Sequence, residues 1–214
     1  MNKNLRVNPW TSIWLKPRQT IRDLIQYNVN YRFLTICGLY GFLYILYMLL
    51  QTPYLEKAIE LKNYSSIASV IIGSLILSIP VGYILINLTS IFLFLGGKII
   101  KAKGTFKQIR AAFYWSIVPM ILSLIILNIL MIVFAKEFEM SHQTKIIPKA
   151  ALPLMISFGL TQLFFSIWSI IITLKSLGEV QGFSTWMALL NYFFAFVIAI
   201  IILLLVFAAL SIFR

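Results

Sequence analysis

Few side chains in this sequence are of a type that does acid–base, nucleophilic or metal chemistry, and none is spaced for it. Cys37 is the only cysteine and His142 the only histidine. Catalysis and metal binding need several such groups positioned together, and the chain has no His–Glu motif, Asp pair or phosphate loop. We interpret His142 as a solvated loop histidine, with a proton or metal role as the alternative. The sequence predicts no catalytic residue, no metal ligand, no cofactor and no enzyme activity.

A second set of polar side chains is embedded in apolar sequence. Its members carry amides or a hydroxyl: Asn87, Asn128, Gln162, Ser166 and Asn191. Facing lipid would leave these groups unpaired, so we predict that they point into a helix bundle. Interhelical hydrogen bonding is one interpretation, and a water-lined cavity or substrate track is the other. The apolar runs contain no acidic residue, which argues against a proton-driven transporter.

A third set, cationic and aromatic, lies between the apolar runs and is predicted to form one surface. Its members are Trp10, Trp14, Pro17, Arg18, Arg22, Lys103, Gly104, Lys107, Arg110, Glu179 and Gly182. Lys and Arg attract anionic lipid headgroups, and Trp prefers the headgroup level of a bilayer. We predict that this surface contacts anionic headgroups and a protein partner. The net charge of +12 needs no nucleic acid to explain it, because the cations flank apolar runs.

Five apolar runs must position these residues, at 33–52, 67–96, 110–134, 150–174 and 187–213. A helix needs about 20 apolar residues to cross a bilayer, and only a helix satisfies its own backbone there. The sequence therefore predicts an all-α polytopic membrane protein with five transmembrane helices. Residues 1–32 are predicted to form a cytosolic amphipathic arm, and residues 33–214 the membrane domain.

The distribution of Lys and Arg predicts the orientation of these helices. Residues 1–32 and the loop 97–110 carry most of the cations, whereas the loops after the first and third runs carry fewer and balance them with Glu. Positive charge stays on the cytoplasmic side of a membrane. We therefore predict an N-in/C-out, multi-pass protein of the plasma (bacterial inner) membrane.

Local patterns predict further details of the arm and the spans. Pro17 can start a helix whose apolar face would lie in the membrane interface, as a docking element or as a mere orienting flank. Pro80 predicts a kink, and the small residues Ser78 and Gly82 predict close helix packing. Thr105 with Gln108 predicts a capping box, and Ser184 or Thr185 caps the last span.

Glu179 lies in the segment LGEVQG (177–182), which we predict to be the turn between the last two spans. Facing the five basic residues of 98–110, it is expected to form a salt bridge that closes the cytosolic face. Partner recognition is the equal alternative, because surface ion pairs contribute little.

Three stretches together resemble the Yip (Ypt-interacting protein) domain family. They are NPWTSIWLKPRQTIR (8–22), KGTFKQIRAAFYWSIVP (103–119) and IWSIIITLKSLGEVQGFSTWMALL (167–190). The resemblance implies five spans and covers essentially the whole chain. It also implies, for eukaryotic relatives, links to Rab-type GTPases and vesicle traffic. This chain is similar to the short, bacterial type, where those GTPases are not expected, so the resemblance implies a fold and a topology more than an activity.

Two functional hypotheses follow. The first is a non-catalytic membrane scaffold or adaptor that acts through its cytosolic face in membrane organisation or a trafficking-like role. The alternative is a small-solute or lipid transporter, or an accessory subunit of one, which would use the embedded amide and hydroxyl residues. The sequence itself names neither a partner nor a solute.

Overall fold

The structure is a computed structural model in which residues 5, 7–52, 63–134 and 152–212 are described. Every regular element in these ranges is a helix. The helices are α1 (Pro9–Ser12), α2 (Pro17–Tyr27), α3 (Phe33–Leu50), α4 (Tyr64–Ile99), α5 (Phe106–Ser116), α6 (Val118–Val133), α7 (Leu152–Gln181) and α8 (Thr185–Ile212). His142 lies outside the described residues.

Five of the helical segments are long and apolar enough to cross a membrane: α3, α4, α5 with α6, α7 and α8. This confirms the predicted all-α, five-span fold. The exposed residues of these segments are mostly large and apolar, as in α8, where Leu203 is 68% and Phe207 is 73% exposed. Exposing so much apolar surface to water is unfavourable, whereas lipid solvates it. The protein is therefore a multi-pass membrane protein.

The end of α7 differs from the prediction. The apolar run ends at residue 174, but the helix continues to Gln181, so most of the predicted turn 177–182 is helical. Gly182, the first residue after the helix, has a φ of 74°, a backbone conformation that favours glycine. The amide of Phe183 then donates to the carbonyl of Gly178 at 3.0 Å, which closes a Schellman turn. Glu179 is consequently a helical residue.

The third span contains a break inside its apolar run. α5 ends at Ser116 and α6 begins at Val118, with Pro119 in its first turn. Proline has no N–H to donate, and its ring crowds the carbonyl four residues earlier, so the helix is interrupted just before it. By contrast, Pro80 lies inside the continuous helix α4. A kink at Pro80 stays a prediction.

The chain divides into two compact units. We call residues 1–33, 85–116 and 170–214 the arm unit, and residues 34–84 and 117–169 the second unit. In the arm unit, α1 packs on α2 and α2 packs on α5. Its core includes the fully buried Tyr114 and Trp115 of α5.

In the second unit, α3 and α4 approach so closely that their backbones touch. A Cβ on Gly41 would overlap the carbonyl oxygen of Ser78, and a Cβ on Gly82 would overlap that of Cys37. Ser74 and Ser78 are 1% and 7% exposed. Small residues therefore form a packing seam on α4, as the sequence predicts.

Candidate functional site: the docked arm and the surrounding helix ends

The arm, residues 9–32, is folded onto the rest of the arm unit. Ile21 and Leu24 of α2 are 0% and 1% exposed, whereas Arg18 and Arg22 on the opposite side are exposed. The predicted amphipathic helix is thus present. Its apolar face, however, is covered by protein rather than left for lipid, because α2 packs on α5. The face of α2 that remains available is the charged one.

Aromatic rings hold the start and the end of the arm to α5. Trp10 meets Trp115 edge-to-face, with ring centroids 5.3 Å apart, and Tyr31 stacks on Trp115 at 6.3 Å. Trp14 donates from its indole nitrogen to the carbonyl of Trp10 at 3.0 Å. The large apolar area of such rings makes them effective anchors. Trp10 and Trp14 are therefore half-buried, and their rings pack within the protein in addition to offering a polar indole N–H group.

One ion pair among the described residues joins the arm to α7. Nε of Arg22 lies 2.7 Å from Oε1 of Glu179, and the two side chains are 60% and 16% exposed. The prediction that Glu179 pairs with the basic loop 98–110 is therefore wrong. Because α7 stays helical through Glu179, its carboxylate reaches α2 instead. The hydrogen bond to Glu179, followed by its negative charge, raises the pKa of the Arg22 guanidinium.

A second polar contact joins α2 to the start of α8. Nη2 of Arg18 donates to Oγ1 of Thr185 at 3.1 Å. The guanidinium also packs over Gly178, where a Cβ would lie 3.2 Å from Nη2. Ser184 caps α8, since the amide of Met187 donates to its hydroxyl at 3.3 Å, and this confirms the predicted cap.

Arg110 ties the turn after α2 to α4. Its two Nη atoms donate to Oδ1 of Asn30 at 2.7 Å and to Oδ1 of Asn87 at 3.2 Å. The guanidinium carbon lies 4.3 Å from the ring centroid of Phe33 and 5.8 Å from that of Phe106. A planar guanidinium suits two acceptors and two ring faces at once. Asn87, which we predicted to point into the helix bundle, thus accepts a hydrogen bond from the Arg110 guanidinium.

Tyr114 fixes the same turn through its hydroxyl. Oη lies 3.0 Å from the carbonyl oxygen of Val29 and 3.1 Å from that of Tyr31. These carbonyls precede Arg32, whose φ of 54° is unusual for a residue with a side chain. A buried hydroxyl donating to them stabilises the turn between α2 and α3.

The loop before α5 presents its lysines to the surface. The predicted capping box is confirmed: the amide of Thr105 donates to Oε1 of Gln108 at 3.0 Å, and the amide of Gln108 donates back to Oγ1 of Thr105 at 3.4 Å. Gly104 is buried, and a Cβ there would lie 3.0 Å from the Val180 side chain. Lys103 and Lys107 flank these contacts and are exposed.

A buried amide pair, which the sequence reasoning only half identified, lies beneath this surface. Nδ2 of Asn191 donates to Oε1 of Gln181 at 2.8 Å, and the two residues are 0% and 1% exposed. Gly96 and Gly97 of α4 pack against them; a Cβ on Gly96 would lie 2.6 Å from Oδ1 of Asn191. Gln181 was not predicted. The two adjacent glycines near the end of α4, Gly96 and Gly97, are the sequence signal that marks the contact.

The other three predicted amide and hydroxyl residues belong to the second unit. Asn128, 3% exposed, donates to the carbonyls of Leu43 and Leu124 at 3.1 and 2.7 Å. Gln162 is half-buried and accepts from Ser123 at 3.3 Å, and Ser166 is half-buried. In these contacts, Asn128 and Gln162 bridge helices by hydrogen bonds.

Cations line a cleft of about 350 Å³ at the start of α2. Lys16, Arg18 and Lys175 contribute the charges, and Thr185 and Leu15 contribute a hydroxyl and an apolar edge. The N-cap residue of α2, Lys16, makes no side-chain hydrogen bond to the first turn of that helix. The chemistry of this lining suits an anion.

The described part of the chain holds no cluster of three His, Cys, Asp or Glu side chains arranged as metal ligands are. Several polar side chains instead form positioning contacts: Arg22 and Arg18 join α2 to the end of α7 and the start of α8, and Arg110 joins the turn after α2 to α4. Such an arrangement presents charge on an ordered surface, and that is the chemistry that the site offers.

The family comparison agrees with this architecture. The model of the Yip1 domain matches residues 11–208, nearly the whole chain, and the match begins within the arm. Comparison with curated proteins and with solved structures found no match. The chain is a multi-pass membrane protein that belongs to the Yip1 domain family.

Proposed function

We propose that this protein is a non-catalytic membrane scaffold that binds a protein partner through one face, lying on the cytosolic side of a bacterial inner membrane. We call this face the docked-arm face and define it by the exposed side of α2, the loop 101–105 with Lys107, and the end of α7. The observation that carries the proposal is the ion pair of Arg22 with Glu179. This ion pair holds the charged side of α2 facing outward and beside the end of α7.

The burial of the arm supports this role over a purely orienting one. A flank that only set topology would need its cations, but it would not need Ile21 and Leu24 buried or Trp10 packed on Trp115. Ordering the arm costs conformational entropy, and the contacts offset it. A surface ordered before binding loses less entropy when a partner arrives.

The embedded amides favour packing over transport. Asn191 and Gln181 are fully buried, and the glycine backbones of α4 lie against them. The side-chain amide of Asn128 likewise donates its hydrogen bonds to backbone carbonyls. Side chains held in this way support helix–helix contacts, so transport remains the alternative that the experiment below must be able to detect.

Site-specific photo-crosslinking in native membranes tests the proposal. A photoreactive phenylalanine at Tyr27, which is 42% exposed on α2, and another at Lys107 are expected to give the same discrete protein adduct. The matched control is the same probe at Leu203 of α8, which is 68% exposed and apolar. If Tyr27 and Lys107 give no protein adduct beyond the Leu203 control, the scaffold proposal fails. Solute uptake by proteoliposomes of the purified protein would instead establish the transport alternative.

A further inference from the structure

The cleft at the start of α2 brings several cations together in one place, whereas a general attraction to an anionic membrane surface would need only scattered cations. Lys16 and Arg18 come from the arm and Lys175 from α7, so three cations from two distant segments converge on one cleft of about 350 Å³. Among the described residues that line it, none is acidic. Like charges brought together repel one another, and an anion bound between them removes that cost.

The neighbouring carboxylate does not neutralise this cleft. Glu179 is bonded to Arg22 at 2.7 Å, which matches one negative charge with one positive charge outside the lining. Arg18 is held by Thr185 at 3.1 Å, and this bond fixes the direction of its guanidinium. The first turn of α2, to which the N-cap residue Lys16 gives no side-chain cap, adds the positive end of a helix dipole to the same place.

The surroundings of the cleft indicate that its ligand belongs to the membrane. Leu15 on its edge is 79% exposed, and Trp186, next to the lining residue Thr185, is 81% exposed. Lys175 lies on α7, one residue beyond the apolar run that ends at 174. Apolar and Trp side chains beside cations at the end of a span are typical of the lipid–water boundary.

We propose that this cleft is a specific binding site for the phosphate headgroup of an anionic phospholipid. Lys16, Arg18 and Lys175 would contact the phosphate, and Leu15 and Trp186 would lie against the upper part of the acyl chains. The inference rests on the proposed function only in placing this face at the cytosolic leaflet. Bound lipid would brace α2 against α7 at the same place as the pair of Arg22 with Glu179.

Native mass spectrometry of the purified full chain tests this site without any protein partner. The protein is titrated separately with phosphatidylglycerol, phosphatidylcholine and inorganic phosphate. We expect one phosphatidylglycerol molecule to bind at least about ten-fold more tightly than phosphatidylcholine and to resist displacement by millimolar phosphate, since each cation near an anionic group favours binding by roughly five-fold.

Two double variants with equal charge change separate a site from diffuse attraction. K16Q/K175Q removes two exposed cations from the cleft and leaves the Arg18 bond in place; we expect about 25-fold weaker binding of phosphatidylglycerol. R32Q/K98Q removes two exposed cations that lie outside both the cleft and the docked-arm face, and it should change binding less than about two-fold. Equal losses in both variants, equal affinity for the two lipids, or displacement by phosphate would each overturn the proposal. None of these outcomes bears on the crosslinked partner adduct, so the two proposals fail separately.

Discussion

Nε of Arg22 lies 2.7 Å from Oε1 of Glu179, and this pair joins two segments that are 157 positions apart in the chain. It connects the middle of the arm helix to the last turn of α7. Both residues lie outside the apolar runs, where water screens an ion pair and makes it worth little in overall stability. We therefore assign it a positioning role rather than a stabilising one.

Replacing Glu179 by Gln should loosen the arm while leaving the spans intact. Hydrogen exchange of the amides in 17–27 is expected to accelerate on the order of two- to five-fold, because surface pairs have this scale of effect. Exchange in α8 should not change. The charge-swapped variant R22E/E179R is the matched control and should restore protection; exchange as fast in the swap as in E179Q would show that the pair does not hold the arm.

The same pair should be insensitive to alkali over the usual range. A group whose pKa is raised on folding contributes stability that is fully present below its unfolded pKa and lost only as the pH rises through the folded value. Pairing with Glu179 raises the Arg22 pKa from an ordinary value that already lies far above neutral pH. Arm protection measured between about pH 7 and pH 10 should stay constant, and a loss within that window would contradict the assignment.

Gly96 should not tolerate alanine. A Cβ there would lie 2.8 Å from the backbone oxygen of Asn191 and 2.9 Å from the amide nitrogen of Ala195. We expect Gly96→Ala to destabilise the protein by about 1–3 kcal/mol, the usual cost of overpacking. Gly159→Ala on α7 is the control, since nothing lies within 4 Å of its Cβ position, and it should be neutral or stabilising. Unfolding of both variants in detergent compares them.

The buried amide pair should give strongly non-additive effects. Asn191→Leu removes the Nδ2 donor to Oε1 of Gln181 and should cost about 1–3 kcal/mol. The double variant Q181L/N191L removes both partners, together with the unpaired Nε2 of Gln181 and Oδ1 of Asn191. It should recover most of that stability. A double-mutant cycle in detergent measures the coupling, and additive losses would show that the amides act independently.

Arg110 should not be replaceable by lysine. Its guanidinium reaches Asn30 and Asn87 together while lying over Phe33, and an ammonium cannot copy that planar fork. We expect Arg110→Lys to lose about 1–2 kcal/mol. Lys107→Arg, on an exposed position of the same helix, is the matched control. Equal stability of Arg110→Lys and the wild type would remove the bridging role.

The sequence predicted the number of spans correctly because span length follows from bilayer thickness. It placed helix ends less well, since an apolar run ends where lipid ends, whereas a helix continues until its hydrogen bonds stop. α7 shows this by running past residue 174 to Gln181. α5 shows the reverse, because Pro119 interrupts the backbone inside an apolar run.

The sequence predicted many of the residues that form the candidate site, but it did not predict which of them contact each other. Charge and amphipathicity marked Arg22 and Glu179 from local sequence. Which cation meets which carboxylate depends on how α2 folds back onto α5, and that is a tertiary property. The apolar face of α2 raises the same difficulty, since Ile21 and Leu24 would be equally apolar against lipid or against protein. Gln181 escaped prediction because its neighbours in sequence are those of a loop.

The most direct test of the scaffold proposal is the dependence of partner binding on the docked arm. The photoreactive probe at Tyr27 is placed in the wild type, in E179Q and in R22E/E179R, and the protein adduct is quantified in native membranes at equal expression. The proposal predicts a clear adduct in the wild type, a several-fold loss in E179Q and recovery in the charge-swapped variant. Full adduct yield in E179Q, or no adduct in the wild type, would contradict it.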